Sequence, residues 1–362
     1  MPINEKAPQM KQTLLIKVNP QKPETEKIQT AAAYIKKGGL VAFPTETVYG
    51  LGADALNPQA VLALFEAKKR PLDNPPIIHV AKTDEVYKLA TQVTAKAEKL
   101  MQEFWPGPLT LVFHHSHIIP KVTVAGLATV AIRMPSHPVA LALIESSGCP
   151  IAAPSANLAG KPSPTSAKHV FDDLNGRIDA ILDGGVTHIG VESTVVDVSV
   201  DPPMLLRPGG TSFENIRKVV DNVRLHPFVT AEKEVAISIA RSPGMRHKHY
   251  APNAKVIVVE GSVTAVTEKV RELIVDYKRK TCKVGVLATD ETVAVYEADV
   301  VKSFGSRFNI EGIARNLFRL LREFDAENVD VIIAEGIPAE GIGLAVMNRL
   351  RKASGYNIVK AE

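Results

Sequence analysis

Leu40-Val41-Ala42-Phe43-Pro44-Thr45-Glu46-Thr47-Val48-Tyr49-Gly50 is the stretch on which the fold turns. Leu40 to Phe43 is a short apolar run that Pro44 ends, as a buried strand reads. Upstream, Ile28, Ala31, Ala32 and Ile35 share one face of a helix over Glu24 to Lys37, which Gly38 and Gly39 stop. Downstream, Asn57 caps a helix with Pro58 at its first position, running to about Lys69. A strand between two helices predicts an α/β unit, with Phe43 to Gly50 at the strand's carboxyl end, where open α/β sheets bind ligands. Two hydroxyls, a carboxylate and a phenol stand there. Taken alone, the segment is equally a self-capping Thr-x-Thr turn.

The alternation continues along the chain. Leu14 to Val18 is a plausible edge strand. Pro76 to Val80, Leu109 to Phe113, Thr129 to Met134, Cys149 to Ala153, Ala180 to Leu182, Thr194 to Val198 and Met204 to Leu206 read as strands. Helical patterns fall at Asp84 to Ala90, Ala95 to Phe104, His137 to Ser146, Ser166 to Leu174 and Ser212 to Val220. Together they predict a mixed sheet with helices over residues 14–225. Residues 226–253 form a basic, Pro- and Gly-bearing linker. Residues 254–362 restart the alternation as a smaller, Rossmann-like parallel α/β domain. In it Gly341-Ile342-Gly343 opens a helix as a dinucleotide loop would, without the third glycine of that fingerprint.

Composition narrows the class. The chain has 362 residues, 45% hydrophobic and 23% charged, with a net charge of +4. This is a globular balance for two domains and not that of a dedicated nucleic-acid binder, whose basic residues dominate a face. Cys149 and Cys282 lack paired spacing and read as buried thiols in a reducing, cytoplasmic compartment. Neither a signal core in Met1 to Met10 nor a bilayer-length apolar run is present, so no membrane is expected.

Four further clusters carry candidate chemistry. Lys68, Lys69 and Arg70, with Asn74 and His79, are an anion clamp or a helix end complementing its dipole. His79 sits in an apolar run, where a lone histidine is more often a satisfied core residue. Arg133 falls inside an apolar strand and needs a buried partner, either a bound carboxylate or an internal Glu or Asp. Pro154-Ser155-Ala156-Asn157, with Gly160, Lys161, Ser163 and Thr165, offers small residues through which backbone amides can approach a phosphate, although P-loop spacing is absent. Glu192-Ser193-Thr194 and Leu206-Arg207-Pro208-Gly209 complete the set. His114, His115 and His117 have no carboxylate or cysteine companion and read as a solvated loop, not a metal site. No nucleophile elbow or Ser-His-Asp pattern appears.

In this order, Pro44 to Leu51, Lys68 to Pro71 with Asn74, Pro75 and His79, Arg133-Met134-Pro135, Pro154 to Asn157, Ser163-Pro164-Thr165 and Leu206 to Gly209 resemble the threonylcarbamoyl-AMP synthase family. The linker, Ser242-Pro243-Gly244-Met245 to His249-Tyr250-Ala251-Pro252, resembles its two-domain branch. The resemblance implies a YrdC-like twisted sheet and a nucleotidyltransferase. L-threonine, bicarbonate and ATP would give threonylcarbamoyl-adenylate and pyrophosphate, for N6-threonylcarbamoyladenosine in tRNA next to the anticodon. Other proteins would make the transfer to tRNA. It implies that Thr47, His79, Arg133, Ala153 and Ser193 surround threonine, with Arg133 on the α-carboxylate. Lys68, Arg70, Asn74, Thr129, Ser155, Ser163 and Arg207 would hold ATP, with Mg²⁺ on its phosphates. Ser242 and Tyr250 would approach the nucleotide from a lid, while His247 departs from a tyrosine seen in relatives. The competing expectation is a double-stranded RNA or tRNA binder without turnover, whose affinity would fall steeply with salt.

Overall fold

The computed structural model describes residues 11–233 and 250–362. Its first part lays down β1 (Leu14–Lys17), β2 (Val41–Phe43), β3 (Gly50–Asp54), β4 (Ile78–His79), β5 (Leu109–His114), β6 (Thr129–Arg133), β7 (Ile151–Ala152), β8 (Ala180–Asp183), β9 (Thr194–Asp197), β10 (Met204–Arg207) and β11 (Arg224–Leu225). These form one mixed sheet in the order β1-β8-β2-β3-β7-β4-β6-β5-β9-β10-β11. The helices around it are α1 (Thr25–Lys36), α2 (Pro58–Lys68), α3 (Val86–Leu89), α4 (Ala95–Phe104), α5 (Pro138–Ser147), α6 (Ala167–Leu174) and α7 (Phe213–Val219). Capping follows the sequence: Asn57 accepts hydrogen bonds from the Gln59 and Ala60 amides, and Pro58 opens α2.

Strand β3 departs from the expectation. Its sequence, Gly-Leu-Gly-Ala-Asp, has poor strand propensity, yet it lies near the middle of the sheet. Packing explains Gly52. A Cβ there would fall 2.8 Å from Ile151 and 2.9 Å from the Phe43 ring. Strand 76–80 shortens to Ile78–His79, and helix 84–90 becomes a 3₁₀ turn, Thr83–Glu85, followed by α3.

The second part contains β12 (Lys255–Gly261), α8 (Val263–Arg279), β13 (Val284–Ala288), β14 (Val300–Ser303), α9 (Ile310–Ala326), β15 (Val331–Glu335), α10 (Gly343–Ala353) and β16 (Ile358–Ala361). Its five strands run parallel in the order β14-β13-β15-β12-β16. On α9, Ile313, Leu317, Phe318, Leu321 and Phe324 are buried, each contributing roughly 1.5–3 kcal/mol relative to exposure. Gly343 is glycine because a Cβ would lie 2.1 Å from the Pro338 carbonyl oxygen. Helix α10 is buried on nearly every side, with Leu344 joining the first part's core and Val346, Met347 and Leu350 the second's. Cys149 and Cys282 are unpaired and half-buried, where full burial was expected. No helix among the described residues is long and apolar enough to cross a membrane.

The two parts meet closely at Gly190, whose φ is +83°. A Cβ there would sit 2.4 Å from Cα of Arg315, on α9. Gly190→Ala is therefore expected to destabilise the protein by at least about 1–2 kcal/mol in urea unfolding, from left-handed strain plus the clash. An unchanged midpoint would mean that α9 does not bear on this loop.

Candidate active site

The ends of β2, β6, β7 and β10 and the start of β9 open on one edge of the sheet. There they enclose a cavity of about 360 Å³. Thr47, Lys68, Arg70, Asn74, His79, Arg133, Ala153, Ser155, Ser163, Ser193, Arg207 and Tyr250 all line it. So do Lys69, Lys161 and Glu192. Thr129 does not. It begins β6 opposite His114, at the end of the strand remote from Arg133. In a strand, four residues separate two side chains by about 13 Å, so one cavity at the strand's carboxyl end excludes it. Ser242 and His247 lie outside the described residues.

Arg133 has an internal partner, one of the two kinds that the sequence left open. Its Nη2 lies 2.7 Å from Glu46 Oε1, both side chains buried. The contact is an ion pair without hydrogen-bond alignment, because neither Glu46 oxygen nor Nη2 has a hydrogen bond among the described residues. Nη1 donates to Thr47 Oγ1 at 2.9 Å, and Nε to the Gly107 carbonyl at 3.1 Å. Arg133 is thus held by the turn after β2 and by the loop before β5, and cannot swing freely onto a ligand.

His79 pairs with Arg133 in the sheet register. Burial, and then the neighbouring Arg133 charge, lower its pKa to about 3. The ring is neutral at working pH, with Nδ1 3.2 Å from the Ile77 carbonyl. It offers hydrogen bonds, not charge. The neutral ring also carries a stability signature. Between pH 6.5 and about 3 the unfolded chain takes up a proton that the folded one refuses, so stability falls on acidification and is retained above pH 6.5. His137 and His169, lowered to about 4 chiefly by burial, act in the same sense.

The remaining cations are anchored by backbone. Lys68 donates to the Ser155 and Asn157 carbonyls and is fully buried, so burial, then Arg70, hold its pKa well below the usual lysine value. It fixes the Ser155–Asn157 turn, in which Ser155 Oγ donates to Asn157 Oδ1 at 2.6 Å. Arg70 donates to the carbonyls of Asn74 and Pro75, at 2.9 and 3.3 Å. Asn74 Oδ1 is buried without a hydrogen bond among the described residues, an amide group placed to pair with a ligand. Arg207 donates through Nη2 to the Ser193 carbonyl at 2.9 Å and to Ser193 Oγ at 3.1 Å. Burial lowers both arginines to about 10, with Arg207 opposing the charge of Arg70, and Arg349 and Arg133 opposing that of Arg207. An anion in the cavity relieves that repulsion.

Two participants were not in the sequence-derived set. Glu192 accepts from Ser163 Oγ at 2.5 Å, and Arg349, on α10, reaches it at 2.7 Å. Glu192 stood beside Ser193 in a flagged segment. Arg349 carried no signal, because a basic residue late in a helix reads as complementing the dipole. Among the described residues no group of three or more His, Cys, Asp or Glu could hold a metal ion.

Comparison with known proteins places the chain in a family. The Sua5/YciO/YrdC family model, described as telomere recombination, matches residues 33–209. The threonylcarbamoyl-AMP synthase C-terminal domain model matches residues 211–355. The chain is 54% identical to a threonylcarbamoyl-AMP synthase of Pyrococcus abyssi, over 96% of this chain and 99% of that one. It is 51% identical to one of Bacillus subtilis, over 92% and 94%. The crystal structure of P. abyssi Sua5 complexed with L-threonine superposes with a TM-score of 0.92 at 53% identity, covering 97% and 100% of the two chains.

The acid branch of the stability profile tests the His79 assignment. His79→Asn is expected to flatten it between pH 6.5 and 4 by up to one proton, about 1.4 kcal/mol per pH unit, measured by urea unfolding at each pH. A slope equal to the wild type's would place a charged or exposed ring at this position.

Proposed function

Because the chain belongs to the threonylcarbamoyl-AMP synthase family and is a nucleotidyltransferase of that activity, we propose that it converts L-threonine, bicarbonate and ATP into threonylcarbamoyl-adenylate and pyrophosphate. The observation that carries this reading is the mixed lining of one cavity. Small hydrogen-bonding groups, Thr47, neutral His79 and Ser193, share it with the basic side chains of Lys68, Arg70, Arg133 and Arg207. Arg133 donates to Thr47, and Arg207 to Ser193.

The threonine amine forms a bond to the bicarbonate carbon and water leaves, giving an N-carboxylated threonine. The new carboxylate then attacks the α-phosphorus and pyrophosphate departs. Every reactant after the amine is an anion, so the protein's work is positioning and charge neutralisation. With a pKa near 3, His79 positions the substrate and does not take the amine's proton. Arg133, pinned by Glu46 and Thr47, presents a fixed positive charge to the threonine carboxylate. Mg²⁺ fits as an ion carried on the triphosphate and water, because the one carboxylate lining the cavity among the described residues, Glu192, is committed to Ser163 and Arg349. Bound that way, it supplies charge neutralisation on the phosphates. The product would serve tRNA modification next to the anticodon in the cytoplasm, through a separate threonylcarbamoyl transferase complex.

Pyrophosphate release should require threonine and bicarbonate together, with threonylcarbamoyl-adenylate identified by mass spectrometry. Release indifferent to either omission would sink this reading. At Arg133 the informative variant is Arg133→Ala with Glu46→Gln, since Arg133→Ala alone strands a buried carboxylate at a cost of about 3–5 kcal/mol. The double variant is expected to weaken threonine binding at least about tenfold and ATP binding much less, by calorimetry. Equal losses would remove Arg133 from the threonine end.

A further inference from the structure

The second part of the chain reaches into the cavity wall at two points. On α9, Arg322 forks onto Asp173, with Nη1 3.3 Å from Oδ1 and Nη2 2.8 Å from Oδ2. It also donates to the Pro162 carbonyl at 2.5 Å. Asp173 in turn takes Lys161 Nζ at 3.1 Å and the Leu158 amide at 3.3 Å. The loop from Leu158 to Ser163 is therefore held from outside the first sheet. On α10, Arg349 is fully buried and its Nε lies 2.7 Å from Glu192 Oε2. The other Glu192 oxygen receives the Ser163 hydroxyl at 2.5 Å.

Glu192 is an odd residue for this place. A buried carboxylate lining a cavity built for anions repels its ligand unless a cation cancels it. Arg349 supplies that cation from the other domain, with Arg207 beside it. Tyr250 closes the same corner. It lines the cavity, stacks on Phe318 of α9 with ring centroids 5.3 Å apart, and lies 5.4 Å beneath the Arg349 guanidinium.

We propose that Arg349 is a positioning residue for the nucleotide end of the site, acting by neutralising Glu192. Held this way, Glu192 keeps the Ser163 hydroxyl proton. Ser163 then offers lone pairs to the cavity and selects a hydrogen-bond donor, a ribose hydroxyl or an amino group, over a phosphate oxygen. The C-terminal domain is on this account a fixed part of the nucleotide wall. The argument rests on the adenylate-forming reading of the cavity only in taking ATP as the ligand.

The test is ATP binding by calorimetry, without threonine or bicarbonate so that nothing turns over, on full-length wild type, Arg349→Met, Glu192→Gln and the double variant. Melting temperatures and threonine affinity are measured beside it. Arg349→Met should weaken ATP at least about tenfold and threonine by less than about threefold. Adding Glu192→Gln should recover most of the ATP loss. Glu192→Gln alone should bind ATP within about threefold of wild type or tighter, because it removes a negative charge and keeps an acceptor for Ser163. If Arg349→Met fails to fold, Glu192→Gln and the double variant carry the test. The proposal falls if ATP and threonine affinity drop together, if Arg349→Met binds ATP normally, if the double variant is not recovered, or if Glu192→Gln loses ATP by tenfold. Failure of wild type to make the adenylate would count against the proposed reaction alone, since binding is read separately.

Discussion

Buried positive charge is the constraint around which the catalytic part is arranged. Lys68, Arg133 and Arg207 are each at most 4% exposed and share one cavity edge, and Arg70 joins them. Desolvation of four basic side chains is costly, and carboxylates answer them: Glu46 faces Arg133, Glu192 acts on Arg207, Asp173 on Lys68 and Asp73 on Arg70. The remaining partners are carbonyl oxygens of loops that the cations themselves hold: Ser155 and Asn157 for Lys68, Asn74 and Pro75 for Arg70, Gly107 for Arg133, Ser193 for Arg207. Each side chain is at once a local clasp and a fixed charge. The loops need no regular structure of their own because these side chains tie them, and the side chains are held rigid because the loops supply hydrogen-bond acceptors.

This coupling explains what was legible in the sequence. Residues that both end a strand and carry a charge or hydroxyl stand out against apolar runs, and Arg133, Arg207 and the Thr45 to Thr47 turn were found that way. Capped helices were equally visible, as with Asn57 and Pro58 at the start of α2. Strand β3 was hidden because its glycines answer to the Phe43 ring and Ile151, contacts that no local pattern records. β14 and β16 were missed as short edge strands of the second sheet, half-buried and weakly patterned. Thr129 was placed by resemblance alone, and the structure sets it at the end of β6 remote from Arg133 and outside the cavity lining. The partner of Arg133 could not be chosen from sequence, since an internal Glu46 and a bound carboxylate satisfy the same requirement.

Arg349 was invisible for a different reason. In α10 the spacing of Asn348, Arg349, Arg351 and Lys352 around Val346, Met347 and Leu350 reads as a polar face turned to solvent. The fold turns that face onto the first domain. Asn348 donates to the Val229 carbonyl, Arg349 meets Glu192, and Lys352 lies over the Phe228 ring. A helix with polar residues on one side is amphipathic toward water only if no second domain covers it. Periodicity cannot distinguish the two cases.

The same burial argues that the two domains work as one body at this corner. Parting α10 from the first domain would strand Glu192 beside the cavity with its nearest opposite charge reduced to Arg207, and would expose the apolar contacts of Val48 and Val191 with Tyr250 and Phe318. Motion that opens the site is therefore cheaper where no buried charge crosses the boundary. Ala251 is tied to the Gly160 carbonyl and Asn253 to Asp325 by exposed or backbone hydrogen bonds alone. Such contacts contribute about 0.5–1.5 kcal/mol each, against several for a buried ion pair broken on one side. The energetics keep the Arg349 and Arg322 contacts in place when the weaker contacts at Ala251 and Asn253 give way.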